Sequence, residues 1–259
     1  LACEYWSEYA DNPYQNPSNF MNETYDSCRE QLLYGTTYAE VYNASSWMQK
    51  ILHEQVPRLV VFENTYLQAY RNDKFTGHVD DLERYITGPW TMRKIHHIDG
   101  SKGGTLSIGI SEEPDSFNMF IASNPAAHLI IENLWPSLYK YSPKLTPCPD
   151  LAENMLTETH ADNPVVPERH TRFTIDIIRN ATWSDGVPLT ADDVAFTFIY
   201  ALESSAYGNP AFDDLEDFYA VYASSTYQFV IEFSTESYWH FTQFAFTPII
   251  PKHIFNDVD

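Results

Sequence analysis

The stretch "RFTIDIIRNATWSDGVPLTADDVAFTFIYALES", residues 172–204, constrains the fold more than any other part of this chain. Phe173, Ile175 and Ile177 alternate with Thr174 and Asp176, the period-two pattern of a half-buried strand. Asp185-Gly186 then makes a tight turn. Thr190 stands where an N-cap hydroxyl can accept from the amide of Asp193, whose charge suits the positive end of a helix. Val194, Phe198 and Ala201 form that helix's buried stripe. A second alternating run, "YQFVIEF", aligns Tyr227, Phe229, Ile231 and Phe233 on one strand face. Strand, turn and capped helix in this order make a structural unit, with no catalytic chemistry of its own.

Composition excludes several classes. Hydrophobic residues at 44% and aromatics at 15% are too abundant for a disordered chain, and no apolar run approaches eighteen residues, so a soluble globular protein is expected. The net charge is −21, and such a surface repels a phosphate backbone, which argues against a nucleic-acid partner. Residues 101–259 hold most of it, with 22 acids against 7 bases. Cys3, Cys28 and Cys148 allow at most one internal disulfide and contain no CxxC pair. Asn22, Asn43 and Asn180 sit in N-x-[ST] triplets compatible with a secreted glycoprotein.

The first hundred residues predict two helices. "NETYDSCREQLLYG" ends near Gly35, which can take the left-handed terminal conformation, and "YAEVYNASSWMQKILHEQV" carries a stripe of Tyr38, Val41, Ser45, Met48 and Leu52 until Pro57 stops it. "RLVVFENTYLQAY" then reads as one or two strands. Further on, "GGTLSIGIS" predicts a short strand and "EEPDSFN" the loop leaving it. Asn124 predicts a helix N-cap with Pro125 at the first position, and Pro136 interrupts that helix.

"GGTLSIGISEEPDSFNMF", "NLWPSLYKYSPKLTPCPDLAENM", "RFTIDIIRNATWSDGVPLTADDVAFTF" and "FTPIIPKHIF" fall in one order across residues 103–259. Together they resemble the extracytoplasmic solute-binding proteins of ABC importers, the class that binds peptides, nickel complexes and oligosaccharides. Residues 1–100 are similar to the closing stretch of such proteins, so the chain reads as the C-terminal segment of one binding domain (1–100) followed by the N-terminal lobe segment of another (101–259), joined at 98–104. A tandem fusion, a circular permutation with a deletion and a piece of a longer protein all produce this order. The pattern departs from the family at Pro136, where the family usually has a helix-compatible residue followed by glycine.

The resemblance implies an α/β fold of the periplasmic-binding-protein type (type II, cluster C-like), with mixed sheets, flanking helices and a second lobe largely missing. Because the tail of such proteins returns to the first lobe, part of residues 59–70 or 75–79 is expected to share a sheet with strand 105–110. The implied function is extracytoplasmic binding of a solute, with a peptide expected, for import through an ABC permease. The alternative is a receptor or scaffold domain that keeps the fold without transport. The location is extracellular or periplasmic, with any membrane anchor supplied outside this chain. No enzyme activity and no cofactor are implied.

Ligands of this family lie between lobes against loops that follow first-lobe strands. On that basis Ser116, Phe117, Asn118 and Asn124 are candidate contacts, and Tyr5 and Trp6 candidate borders of the cleft. Each has a plain alternative role in turns, caps or packing. Trp135 reads as core. The nine histidines show no ligand spacing such as H-E-x-x-H, so no metal centre is expected, and no G-x-S-x-G appears.

Overall fold

The computed structural model describes residues 3–65, 67–82, 84–204 and 217–256. The chain forms two compact units, Leu1–Leu67 with Glu236–Phe241, and Gln68–Thr235 with Thr242–Asp259. This division by compactness falls at 67/68, so residues 68–100 pack with the second unit.

In the first unit a 3₁₀ turn at Ser7–Tyr9 precedes α1 (Glu23–Tyr34) and α2 (Tyr38–Gln55). Asn22 caps α1 by accepting from the amide of Tyr25 at 2.8 Å. The two helices enclose a core of Tyr5, Phe20, Tyr25, Met48 and Ile51. The buried face of α2 is Val41, Ala44, Met48 and Ile51, so the predicted stripe is rotated: Tyr38 is 63% exposed. Gly35 ends α1 with φ −65°, not in the left-handed region. Its glycine has a different cause, since a Cβ there would stand 2.8 Å from the carbonyl oxygen of Gln31. The left-handed residue is Val56, which closes α2 just before Pro57.

A reciprocal capping box starts α2. Thr37 Oγ1 accepts from the amide of Glu40, and the Glu40 carboxylate accepts from the amides of Thr36 and Thr37 at 3.0 and 3.2 Å. Those two backbone donors hold the Glu40 carboxyl below the usual value of 4.5. A carboxyl depressed in the folded state contributes stability above its unfolded pKa and loses it as pH falls through the folded one. Stability is therefore expected to decline with acid below about pH 4, less steeply in Glu40→Gln. Urea midpoints between about pH 5 and 2.5 check this, and parallel slopes for the two proteins would contradict it.

The second unit is built on a four-stranded antiparallel sheet whose strands lie side by side in the order Ala152–Thr159, Thr171–Ile177, Gln228–Phe233, Phe218–Ser225. Before it come β1 (Phe75–Thr76), α3 (Pro89–Lys94), β2 (His96–His97), α4 (Pro125–Leu134), β3 (Tyr139–Tyr141) and β4 (Pro147–Pro149). The sheet strands are β5 (Ala152–Thr159), β6 (Thr171–Ile177), β7 (Phe218–Ser225) and β8 (Gln228–Phe233). Between β6 and β7 lies α5 (Ala191–Glu203), and α6 (His240–Ala245) and α7 (Lys252–Phe255) follow β8. Every ladder among the described residues is antiparallel.

The alternation read from the sequence sets the core. Phe173 pairs with Ile231 and Ile175 with Phe229, and these residues with Ile177 and Phe233 are 0 to 4% exposed on one face. Helix α5 covers that face through Val194, Ala195, Phe198 and Ala201. Its capping box forms as predicted, and the buried Asp193 carboxylate accepts from the amides of Thr190 (2.8 Å) and Lys252 (2.9 Å), tying the helix start to the chain's return. Tyr227, predicted in register with Phe229, lies in the two-residue turn joining β7 to β8.

Two strand predictions fail. Residues 59–65 and 67–71 are not strand, and neither is 105–110. Phe75–Thr76 does form a strand, but its partner is His96–His97, so the expected sheet shared with 105–110 is absent among the described residues. The physical reason is that β propensity expresses fit to a neighbouring pleated surface, and these segments have no neighbour to fit. All three cysteines are free thiols.

Candidate functional site

The loop 111–124 and α4 carry most of the predicted ligand contacts. Ser116 Oγ accepts from the amide of Asn118 at 3.0 Å, and Asn118 Oδ1 accepts from the amide of Phe120 at 3.0 Å. Asn124 caps α4 as expected: Oδ1 accepts from the amide of Ala127 at 2.8 Å, while Nδ2 donates to the Glu113 carbonyl at 2.7 Å. Asp115, which the sequence did not single out, locks the loop by accepting from the hydroxyl and amide of Ser123 at 2.6 and 2.9 Å. These bonds hold its carboxyl below the usual aspartate value, the Ser123 hydroxyl contributing most. The polar side chains thus shape the turn, and they leave Phe117 projecting, 64% exposed.

Tyr5 and Trp6 belong to the first unit. Tyr5 is buried, edge-on to Phe20 and Tyr25 with ring centres 6.0 and 6.2 Å away. Trp6 lies under the guanidinium of Arg29, whose carbon is 3.7 Å from the ring centre. Packing occupies both rings.

The ten residues of α4 span about 15 Å from this loop to a cavity of about 220 Å³. Its walls are aromatic: Trp135, Tyr139, Tyr141 and Phe246, the last two stacked at 4.1 Å. Trp135 is therefore a wall residue and only partly buried. Lys140, Glu132 and Ser137 add polar groups, and Lys140 is the most firmly held. Its Nζ donates to the carbonyls of Glu132 (3.0 Å) and Trp135 (3.3 Å) and stands 3.7 Å from Asp150, and burial lowers its pKa. Arg84 pairs with Glu132, and Arg93 with Asp150 at 2.9 Å. An aromatic box with fixed polar groups holds a small organic solute by stacking and hydrogen bonding. The sequence did not reveal this cavity, because Phe246 reaches it from more than a hundred residues away.

A larger cavity of about 550 Å³ lies among residues 69–109, with a mixed lining that includes Tyr70, Arg71, Lys74, Met92, Ile95 and residues 105–109. Among the described residues, no three His, Cys, Asp or Glu side chains are grouped to hold a metal ion, and no helix is long and apolar enough to cross a membrane.

Residues 146–259 match the family described as bacterial extracellular solute-binding proteins, family 5 Middle. No curated protein sequence matches the chain. Among solved structures, the ABC transporter substrate-binding protein CtaP of Listeria monocytogenes is 25% identical with a TM-score of 0.50, over 61% of this chain and 30% of that one. The oligopeptide-binding protein AppA of Bacillus subtilis, solved with a nonapeptide, is 26% identical with a TM-score of 0.48, over 57% and 27%. The chain therefore spans less than a third of either protein's length. The matched segment is the one that builds β4 to β8 and α5 to α7, so it is this sheet with its flanking helices that is similar to the bacterial extracellular solute-binding proteins of family 5.

Proposed function

We propose that this chain takes part in solute binding outside the cytoplasm, presenting a peptide to an ATP-driven importer. The observation that carries the reading is the family 5 sequence of residues 146–259. In this reading residues 1–100 are the closing segment of one binding domain and 101–259 the first-lobe segment of the next. The membrane permease is the partner. The reading contains no chemical step.

Within the site, Phe117 is the contact, and Ser116, Asn118 and Asn124 fix the loop that presents it. Exposure of an aromatic ring beside turn-locked polar groups supports that division of roles. A solute held against one lobe forgoes the contacts of the other, so affinity is expected in the region of ~1 mM. NMR titration with a mixed library of short peptides reads this directly. Phe117→Ala is expected to weaken binding by roughly threefold to tenfold with an unchanged melting temperature, since the ring packs little. Undiminished binding in that variant removes Phe117 from the site. Failure of every library peptide to bind refutes the peptide reading.

A further inference from the structure

Two stretches of the chain have the residues of strands and no ladder to join. In Leu59–Phe62 four consecutive apolar side chains are 75 to 81% exposed, and no backbone group of 58–64 makes a hydrogen bond among the described residues. Thr105–Ile110 is equally unpaired, with Leu106, Ile108 and Ile110 36 to 43% exposed. Residues 105–109 line the 550 Å³ cavity together with Ile86, Met92 and Ile95. Exposed strand-forming segments with free amide and carbonyl groups are templates for pairing with another chain.

We propose that these stretches pair between two copies of the protein, residues 58–63 of each adding as an antiparallel strand to 105–110 of the other, so that two exchanges close a two-fold dimer. The segments match in length at six residues each. They also match in charge. The donor runs from Arg58 to Glu63, and the receiver is flanked by Lys102 on one side and Glu112 and Glu113 on the other. Antiparallel addition sets Arg58 toward the two glutamates and Glu63 toward the lysine, whereas parallel addition sets like charges together. Lys102, Glu112 and Glu113 make no ion pair among the described residues, and Arg58 keeps two loose contacts, 3.8 Å from Glu4 with both side chains about half-exposed and 5.8 Å from the centre of the Tyr5 ring. Alternate side chains of the added strand, from the pairs Leu59 and Val61 or Val60 and Phe62, would enter the cavity and meet its apolar residues Ile86, Met92 and Ile95, which share the lining with Arg71, Lys74 and His78. One chain thus carries both halves of the interaction, which makes a second copy the occupant. Each copy has a net charge of −21, so approach is opposed at low salt and relieved by screening.

Sedimentation equilibrium on the full chain tests this. The expected mass is twice 29.9 kDa at the higher concentrations, with the dimer fraction rising between roughly 20 and 300 mM salt. Val61→Pro removes an amide from the ladder at a site 78% exposed, so far-UV circular dichroism should not change while dimerisation weakens by roughly tenfold or more. Arg58→Glu should also weaken the dimer, and adding Glu112→Arg should restore it; this rescue distinguishes a registered strand pair from nonspecific apolar adhesion. A monomer at every concentration, a dimer indifferent to Val61→Pro, no rescue by the charge exchange, or growth beyond two copies each overturns the proposal.

Discussion

Replacing Phe233 with alanine is expected to destabilise the larger unit by about 3–5 kcal/mol. The ring is fully buried near the end of the central strand β8. It meets Phe173 and Phe218 edge-on at 6.1 and 6.5 Å and lies nearly parallel to Phe244 at 6.3 Å. Truncation removes the transfer energy of the ring and leaves a cavity lined by three aromatic side chains, which cannot collapse without moving two strands. Phe233→Leu retains most of the volume and should cost about 1–2 kcal/mol. By contrast, Tyr222→Ala on edge strand β7, 47% exposed, should cost well under the central substitution. Urea unfolding followed by far-UV circular dichroism ranks the three. A Phe233→Ala loss no larger than that of Tyr222→Ala would mean that this aromatic cluster is not the centre of the core.

The same cluster shows why part of the fold was legible in the sequence. Phe173, Ile175, Phe229 and Ile231 alternate because their strands bury one face under α5, and Thr190 with Asp193 announces that helix through chemistry local to four residues. Asn124 and Pro125 announce α4 in the same way. Strand β5 was invisible because it is an edge strand with a mostly polar, exposed sequence, paired on one side only. Residues 59–62 and 105–110 failed in the opposite sense: their composition suits a strand, but pairing is a property of a partner that sequence does not name. Helix α2 was found with its face rotated because Val41 and Met48 belong to two possible stripes, and Tyr38 drew the pattern to the exposed one. At the site, Asn124 could be read from cap grammar, while the aromatic box of Tyr139, Tyr141 and Phe246 depends on the chain folding back and has no local signal.

The far face of β8 yields the second large effect. Glu232 is 3% exposed, and its carboxylate accepts from Nδ1 of His170 at 2.7 Å and from Nε of Arg172 at 2.8 Å. Arg172 is its direct cross-strand neighbour in the β6–β8 ladder, so the pair is held by backbone register as well as by charge. Glu232→Ala leaves a guanidinium without its acceptor on a face where its side chain is only 20% exposed. Removing one partner of a well-buried pair costs about 3–5 kcal/mol, and partial rehydration of Arg172 brings the expectation here to about 2–3 kcal/mol. The pair itself is worth much less than that, because both charges are desolvated to make it. Glu232→Leu combined with Arg172→Met should therefore cost less than the sum of the two single substitutions, giving a coupling of roughly 1–2 kcal/mol in a double-mutant cycle. Denaturation midpoints of the two single variants and the double variant provide the measurement. Strictly additive losses would show that Glu232 and Arg172 act on stability independently, each through packing of its own.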